Sequence, residues 1–149
     1  MKIKDVGSKM FKHILVPVDF SERNRTAVDA ACALAKQNAA RLTLIHVIET
    51  IEYISVEEMR DFYSRLERRA RQGMDELSET VSKQGIPLEQ VVVLGRRHDE
   101  IIRYAIETNV DLIVMNSHRV DPDRRAATFG SISYRVAVLS PCAVLLLKQ

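Results

Sequence analysis

What most constrains this chain is a regular alternation of short, continuous apolar runs with longer stretches of helical periodicity. HILVPV (His13 to Val18) precedes a pattern with Ala27, Ala30, Ala31 and Leu34 at helical spacing, and RLTLIHVI (Arg41 to Ile48), rich in β-branched residues, follows it. Met59, Phe62, Leu66, Ala70, Met74, Leu77 and Val81 mark the longest helix, and VVVL (Val91 to Leu94) the third strand. Ile101, Ile102, Ala105 and Ile106 mark a shorter helix before DLIVM (Asp111 to Met115). Phe129, Ile132, Val136 and Leu139 lie on one face of a last helix before the fifth strand, Ala143 to Leu147. Strands that are apolar throughout, not on alternate residues, must be covered on both faces. The βαβαβαβαβ order with right-handed crossovers therefore predicts an α/β fold, a doubly wound five-stranded parallel sheet with helices on both faces.

The punctuation agrees with this division. Ser21 is placed to cap the first helix, and Ser55 with Glu58 three residues on has the form of a capping box ahead of the longest one. Gly85-Ile86-Pro87 ends that helix, Asn109 closes the next, and Ser140-Pro141 stops the last. A chain of 149 residues suits one well-buried domain, expected over residues 11–149, with residues 1–10 as a flexible N-terminal tail.

Composition narrows the partners. No segment approaches the roughly 20 apolar residues that span a bilayer. MKIKDVGSKMFK lacks the apolar core of about 7–15 residues of a secretory leader, so a cytoplasmic protein without membrane association is expected. A net charge of +2, no Trp and 5% aromatic residues argue against nucleic acid, and RLERRAR (Arg65 to Arg71) reads as a solvated helix face. Cys32 and Cys142 form no CxxC and have no His at ligand spacing; they read as buried thiols, with no metal site.

In open parallel sheets, ligands bind beyond the carboxyl ends of the strands, where the winding reverses. A reversal after the third strand sets the first and fourth strands side by side and brings Pro17-Val18-Asp19 next to Met115-Asn116-Ser117; a strand order beginning 2-1-3 would give a different crevice. The helix opening near Gly130-Ser131 offers free N–H groups and the positive end of its dipole to an anion. Two readings stand there: a phosphate site, or a tight entry with Ser131 as a cap. Asp19 divides in the same way, between a ligand contact and an ordered turn.

No GxGxxG follows the first strand, no GxSxG marks a nucleophile elbow, and the acidic residues of a phosphoacceptor domain are missing, with a lone Asp19 and then LGRRHD. His13, His46 and His98 are scattered; His118 lies in the expected site, where it could orient a phosphate. No residue arrangement requires turnover, so no catalytic residue is assigned and the limit is slow ATP hydrolysis.

HILVPVDFSERNRTAV, DLIVM followed by Ser117-His118, and GSISYRVAVLSPCAVLLL together resemble the universal stress protein family, from Phe11 onward over nearly the whole chain. The resemblance implies strand order 3-2-1-4-5, a small cytoplasmic stress-response protein, and adenine nucleotide (ATP or AMP) bound in some branches and not in others. It also implies a homodimer through the last strand, Ala143 to Leu147, an apolar edge otherwise open to mispairing.

The family's nucleotide signature is Gly, two residues, Gly, nine residues, then Gly with Ser or Thr. Here Asn116 and Arg119 stand where the first two glycines belong, and ten residues separate Arg119 from Gly130. Glycine lets the main chain approach phosphate at φ > 0; Asn tolerates that conformation, whereas Arg does not. The Arg119 guanidinium could itself contact phosphate, and a Ser-His-Arg branch of the family is thought to include nucleotide binders. Arg124 and Arg125 would add positive charge; Asp121 and Asp123 would oppose it unless they face solvent or hold Mg²⁺ through the phosphates.

By carry-over, Pro17, Val18 and Asp19 match the adenine and ribose end, Val47 borders the base, and Gly130, Ser131 and Ile132 match the phosphate end. Asn116 and Ser117 are kept as contacts through their backbone. Two functions follow: a nucleotide-binding regulatory or interaction module, or a stress protein that binds no nucleotide and acts through protein–protein contacts.

Overall fold

The computed structural model describes residues 9–119, 121–124 and 130–148. Arg125, Phe129 and most of the expected tail lie outside the described residues. The elements run β1 (His13–Pro17), α1 (Asn24–Asn38), β2 (Arg41–Glu49), α2 (Arg60–Ser82), β3 (Leu88–Gly95), α3 (Arg97–Glu107), β4 (Leu112–Ser117), a 3-10 turn (Pro122–Arg124), α4 (Ile132–Leu139) and β5 (Ala143–Lys148).

The sheet order is β3-β2-β1-β4-β5 with every neighbouring pair parallel, as the resemblance implied. The registers Ile14↔Leu112 and Leu15↔Ile113 set β4 beside β1 and exclude an order beginning 2-1-3. β1 is central, and Ile14, Leu15 and Val16 are each 0% exposed. Ile14 and Val16 pack with Ala27, Val28, Ala31 and Met74, under α1 and α2. Leu15 packs on the opposite face with Ile101, Ala105 and Val136, under α3 and α4. The strand is continuously apolar because each face has its own helical cover, and each such side chain contributes roughly 1.5–3 kcal/mol by burial.

Several local expectations are corrected. Ser21 does not cap α1, whose first turn opens at Arg23 without a side-chain cap. Asn24 orders that entry instead: its Oδ1 accepts from the N–H groups of Asp19 (2.9 Å) and Phe20 (2.8 Å). Ser55 Oγ accepts from Glu58 N–H at 3.2 Å, yet the helix starts only at Arg60, so the pair orders a turn ahead of α2. The buried face of α2 begins with Tyr63 (3% exposed) and not Phe62 (37%), because the Tyr63 hydroxyl accepts from Ile51 N–H at 2.8 Å and anchors the incoming loop. Ile106 and Leu139, each 58% exposed, also leave the faces expected for them. One residue past Ala105 turns a side chain about 100° away from the sheet, and Leu139 ends a helix that stands over the edge strand.

The turn after β1 is held from both sides. Phe20 has φ 65°, a left-handed conformation unusual for a bulky residue. Its ring lies 4.4 Å from the His46 ring and fills the space above Gly73 in the middle of α2, where a Cβ would stand 2.6 Å from Phe20 Cδ1.

Candidate functional site

Where β1 and β4 end, the chain leaves the sheet toward opposite faces, and between the departing loops lies a cleft of ≈ 340 Å³. This is the position the topology dictates for a ligand. All nine residues singled out from the sequence line it: Pro17, Val18, Asp19, Val47, Asn116, Ser117, Gly130, Ser131 and Ile132.

One end is apolar. Val18, Val47 and Met115 are buried, with Ile45 and Ile101 beside them. Val18 extends the ladder past β1 by donating its N–H to Ile45 O at 2.9 Å, while its carbonyl accepts from His46 Nδ1 at 2.7 Å. That bond puts a proton on Nδ1, and burial lowers the His46 pKa, helped by the Arg97 charge and resisted by the Val18 carbonyl and Asp19.

Asp19 stands at the rim. Burial is the largest influence on its carboxyl and pushes the pKa up, but the hydroxyl and N–H of Ser21, the Asn24 side chain and the Arg97 charge together hold it below its usual value. It is ionised at neutral pH. Its Oδ1 accepts from Ser21 N–H at 2.9 Å, so it does order the turn, and it also remains an exposed rim of the cleft.

The other end is polar. Ser131 caps α4, its Oγ accepting from Tyr134 N–H at 3.2 Å. Ser117 Oγ lies 3.0 Å from Ser133 Oγ and accepts from Lys148 Nζ at 3.3 Å. The side-chain Nδ2 and Oδ1 of Asn116 are buried, and neither has a hydrogen-bond partner among the described residues. Donors at a helix N-terminus and a row of hydroxyls suit an anion; the apolar end suits a flat ring.

The basic loop is arranged differently from its expected part in the site. Arg119 and Arg124 are exposed and do not line the cleft. Asp121 Oδ1 accepts from Asp123 N–H at 2.9 Å, ordering the 3-10 turn, and no cluster of three metal-ligating side chains occurs among the described residues. His118 does line the cleft, and its Nδ1 lies 2.7 Å from Arg23 Nη1.

Sequence reasoning missed Arg23, Asn24, Arg97 and Ser133 as lining residues. A usable signal existed for the two arginines, since both stand within a few residues of a strand's carboxyl end, in DFSER and LGRRHD. His13 is remote: Thr43 Oγ1 lies 2.7 Å from its Nε2 and Thr108 O lies 3.2 Å from its Nδ1, in a buried structural role. Burial raises the pKa of both thiols, Cys32 and Cys142.

A parallel α/β sheet wound both ways from β1, with a half-apolar, half-polar cleft at its switch point, defines a domain of the doubly wound α/β class. The chain belongs to the universal stress protein family, whose model matches residues 10–148.

Universal stress protein YxiE of Bacillus subtilis is 28% identical over 93% of this chain and 100% of its own. The solved structure of MJ0577, a universal stress protein of Methanocaldococcus jannaschii, superposes with a TM-score of 0.80 at 30% identity, covering 94% of this chain and 97% of that one. A universal stress protein family protein of Arabidopsis thaliana, solved with AMP bound, has the same fold at a TM-score of 0.70 and 18% identity, over 93% of this chain and 92% of that one. No helix among the described residues is long and apolar enough to cross a membrane.

Proposed function

We propose that this chain binds an adenine nucleotide, ATP or AMP, in the cleft between β1 and β4, and that it acts as a cytoplasmic regulatory or interaction module of the stress response. The observation that carries the reading is the meeting, in one ≈ 340 Å³ cleft, of an apolar slot, an ionised carboxylate at its rim and a capped helix N-terminus. The volume falls within the range of about 300–1,000 Å³ usual for small-ligand pockets. Val18 and Val47 would border the base, Asp19 would accept from ribose hydroxyls, and the N–H groups beyond Gly130 and Ser131 would face phosphate. The AMP-bound relative of the same fold supports the choice of ligand.

β5 lies at an edge of the sheet, with Leu145 37% exposed, and would pair with a second copy to form a homodimer. A second reading, a family member that binds no nucleotide and works through protein contacts, is favoured by the two missing signature glycines, Asn116 and Arg119, and by the exposed Val138 and Leu139 beside that edge.

Two measurements separate the readings. Freshly purified protein is denatured and any released nucleotide is quantified per chain, and stability is compared with and without ATP or AMP. A ligand at about 100 times its Kd should add about 2.7 kcal/mol. No released nucleotide and no stabilisation at millimolar ligand would leave the protein-contact reading standing.

A further inference from the structure

Among the described residues two guanidinium groups, those of Arg23 and Arg97, line the cleft, and one of them bridges its walls. Arg23 stands at the N-cap of α1, and its Nη1 lies 2.7 Å from Nδ1 and 3.2 Å from Nε2 of His118, joining the turn after β1 to the residue that follows β4. A guanidinium only donates and an imidazole carries no negative charge, so the contact fixes the guanidinium without neutralising it. No carboxylate lies within 4.0 Å of Arg23 among the described residues. Arg119, which occupies the second glycine position of the signature, is exposed and outside the cleft.

Resting on the reading of the cleft as a nucleotide site, we propose that Arg23, positioned by His118, grips the phosphate of the bound nucleotide through its side chain. It takes the place of main-chain amides that a glycine loop would have presented. Each glycine amide gives one neutral hydrogen bond, whereas a guanidinium gives two parallel charge-assisted ones in a geometry that matches phosphate oxygens. Engaging phosphate requires Arg23 to give up or share its contact with the His118 ring. His118 touches the guanidinium and is therefore a positioning residue. The departure of the loop from the signature then costs the site little, because the anion is held from α1.

The test is calorimetric titration of the full chain with AMP and with adenosine, the same ligand without its phosphate. Wild type should bind AMP at least about tenfold more tightly than adenosine. Arg23→Gln should lose about 10- to 100-fold in AMP affinity, in keeping with charged hydrogen bonds, and leave adenosine affinity unchanged, which also shows that the variant is folded. Arg23→Lys should fall between, and His118→Ala should lose less than Arg23→Gln, again only toward AMP. Arg119→Gln should change neither ligand.

AMP binding by Arg23→Gln at wild-type affinity, or the loss appearing in Arg119→Gln, would overturn the assignment. Equal binding of adenosine and AMP by wild type would remove the clamp and keep the nucleotide cleft. Binding of neither would remove both.

Discussion

Gly73→Ala tests how the cleft is tied to the rest of the molecule. By helix propensity alone, replacing a glycine in the middle of α2 with alanine should stabilise the protein by about 0.8–1.0 kcal/mol. The tertiary structure predicts the opposite sign. An added Cβ would lie 2.6, 2.8 and 2.9 Å from three atoms of the Phe20 ring, which needs about 1 Å more room than that. The ring cannot move freely, because it is stacked 4.4 Å from His46 and its backbone is already in the left-handed region at φ 65°. Overpacking of this kind costs about 1–3 kcal/mol, so the propensity gain is offset and a net loss of up to about 2 kcal/mol is expected.

Urea denaturation would show the loss as a lower midpoint at unchanged slope. The decisive variant is Gly73→Ala on a Phe20→Ala background, where the clash is gone and the same substitution should now stabilise by about 1 kcal/mol. A destabilisation of equal size in both backgrounds would refute the reasoning. Because Asp19 and Ser21 flank Phe20 and line the cleft, Gly73→Ala should also weaken nucleotide binding.

Further outcomes follow from single contacts. Asn116→Ala removes a buried amide with no partner among the described residues, so the gain from deleting it and the loss from the small void should offset, leaving stability within about 1 kcal/mol of wild type; a drop above about 2 kcal/mol in urea would show that the amide is bonded in solution. Ser131→Ala removes the α4 cap and should cost about 1 kcal/mol by thermal denaturation without ligand, with a further loss of nucleotide-induced stabilisation.

His13 and His46 have pKa values lowered by burial, so the unfolded chain takes up their protons first as the pH falls. Their contribution is present above their usual 6.5 and is lost as the pH drops through it toward the lowered folded-state values. His46→Gln should flatten the slope of unfolding free energy between about pH 7 and 5, and an unchanged slope would show that His46 is not protected from protons. Asp19, also lowered, adds a second decline below its usual 3.8, where Asp19→Asn should flatten the profile.

The sequence by itself determined the architecture and many of the residues that line the cleft. Burial on both faces writes itself into every residue of a parallel strand, so HILVPV, DLIVM and the helical repeats between them were readable one element at a time. Pro17 to Asp19, Asn116 and Ser117 were placed at the cleft because a switch point lies at strand ends whatever the side chains are, Gly130 and Ser131 because a helix opens there, and Ile132 by the family resemblance. Val47 came with the family resemblance.

Only the tertiary structure decided which polar side chains converge on that point. Arg23 and His118 are 95 positions apart and meet at 2.7 Å because β1 and β4 are neighbours. Arg119, one residue beyond His118, faces away. The same non-local geometry replaced Ser21 by Asn24 at the entry to α1, and it explains a glycine in mid-helix by a phenylalanine 53 positions earlier. Periodicity reports how often a position is buried, a property of the local element. The meeting of two exposed polar side chains depends on the paths of two loops across a shared sheet end, and no local pattern carries that information.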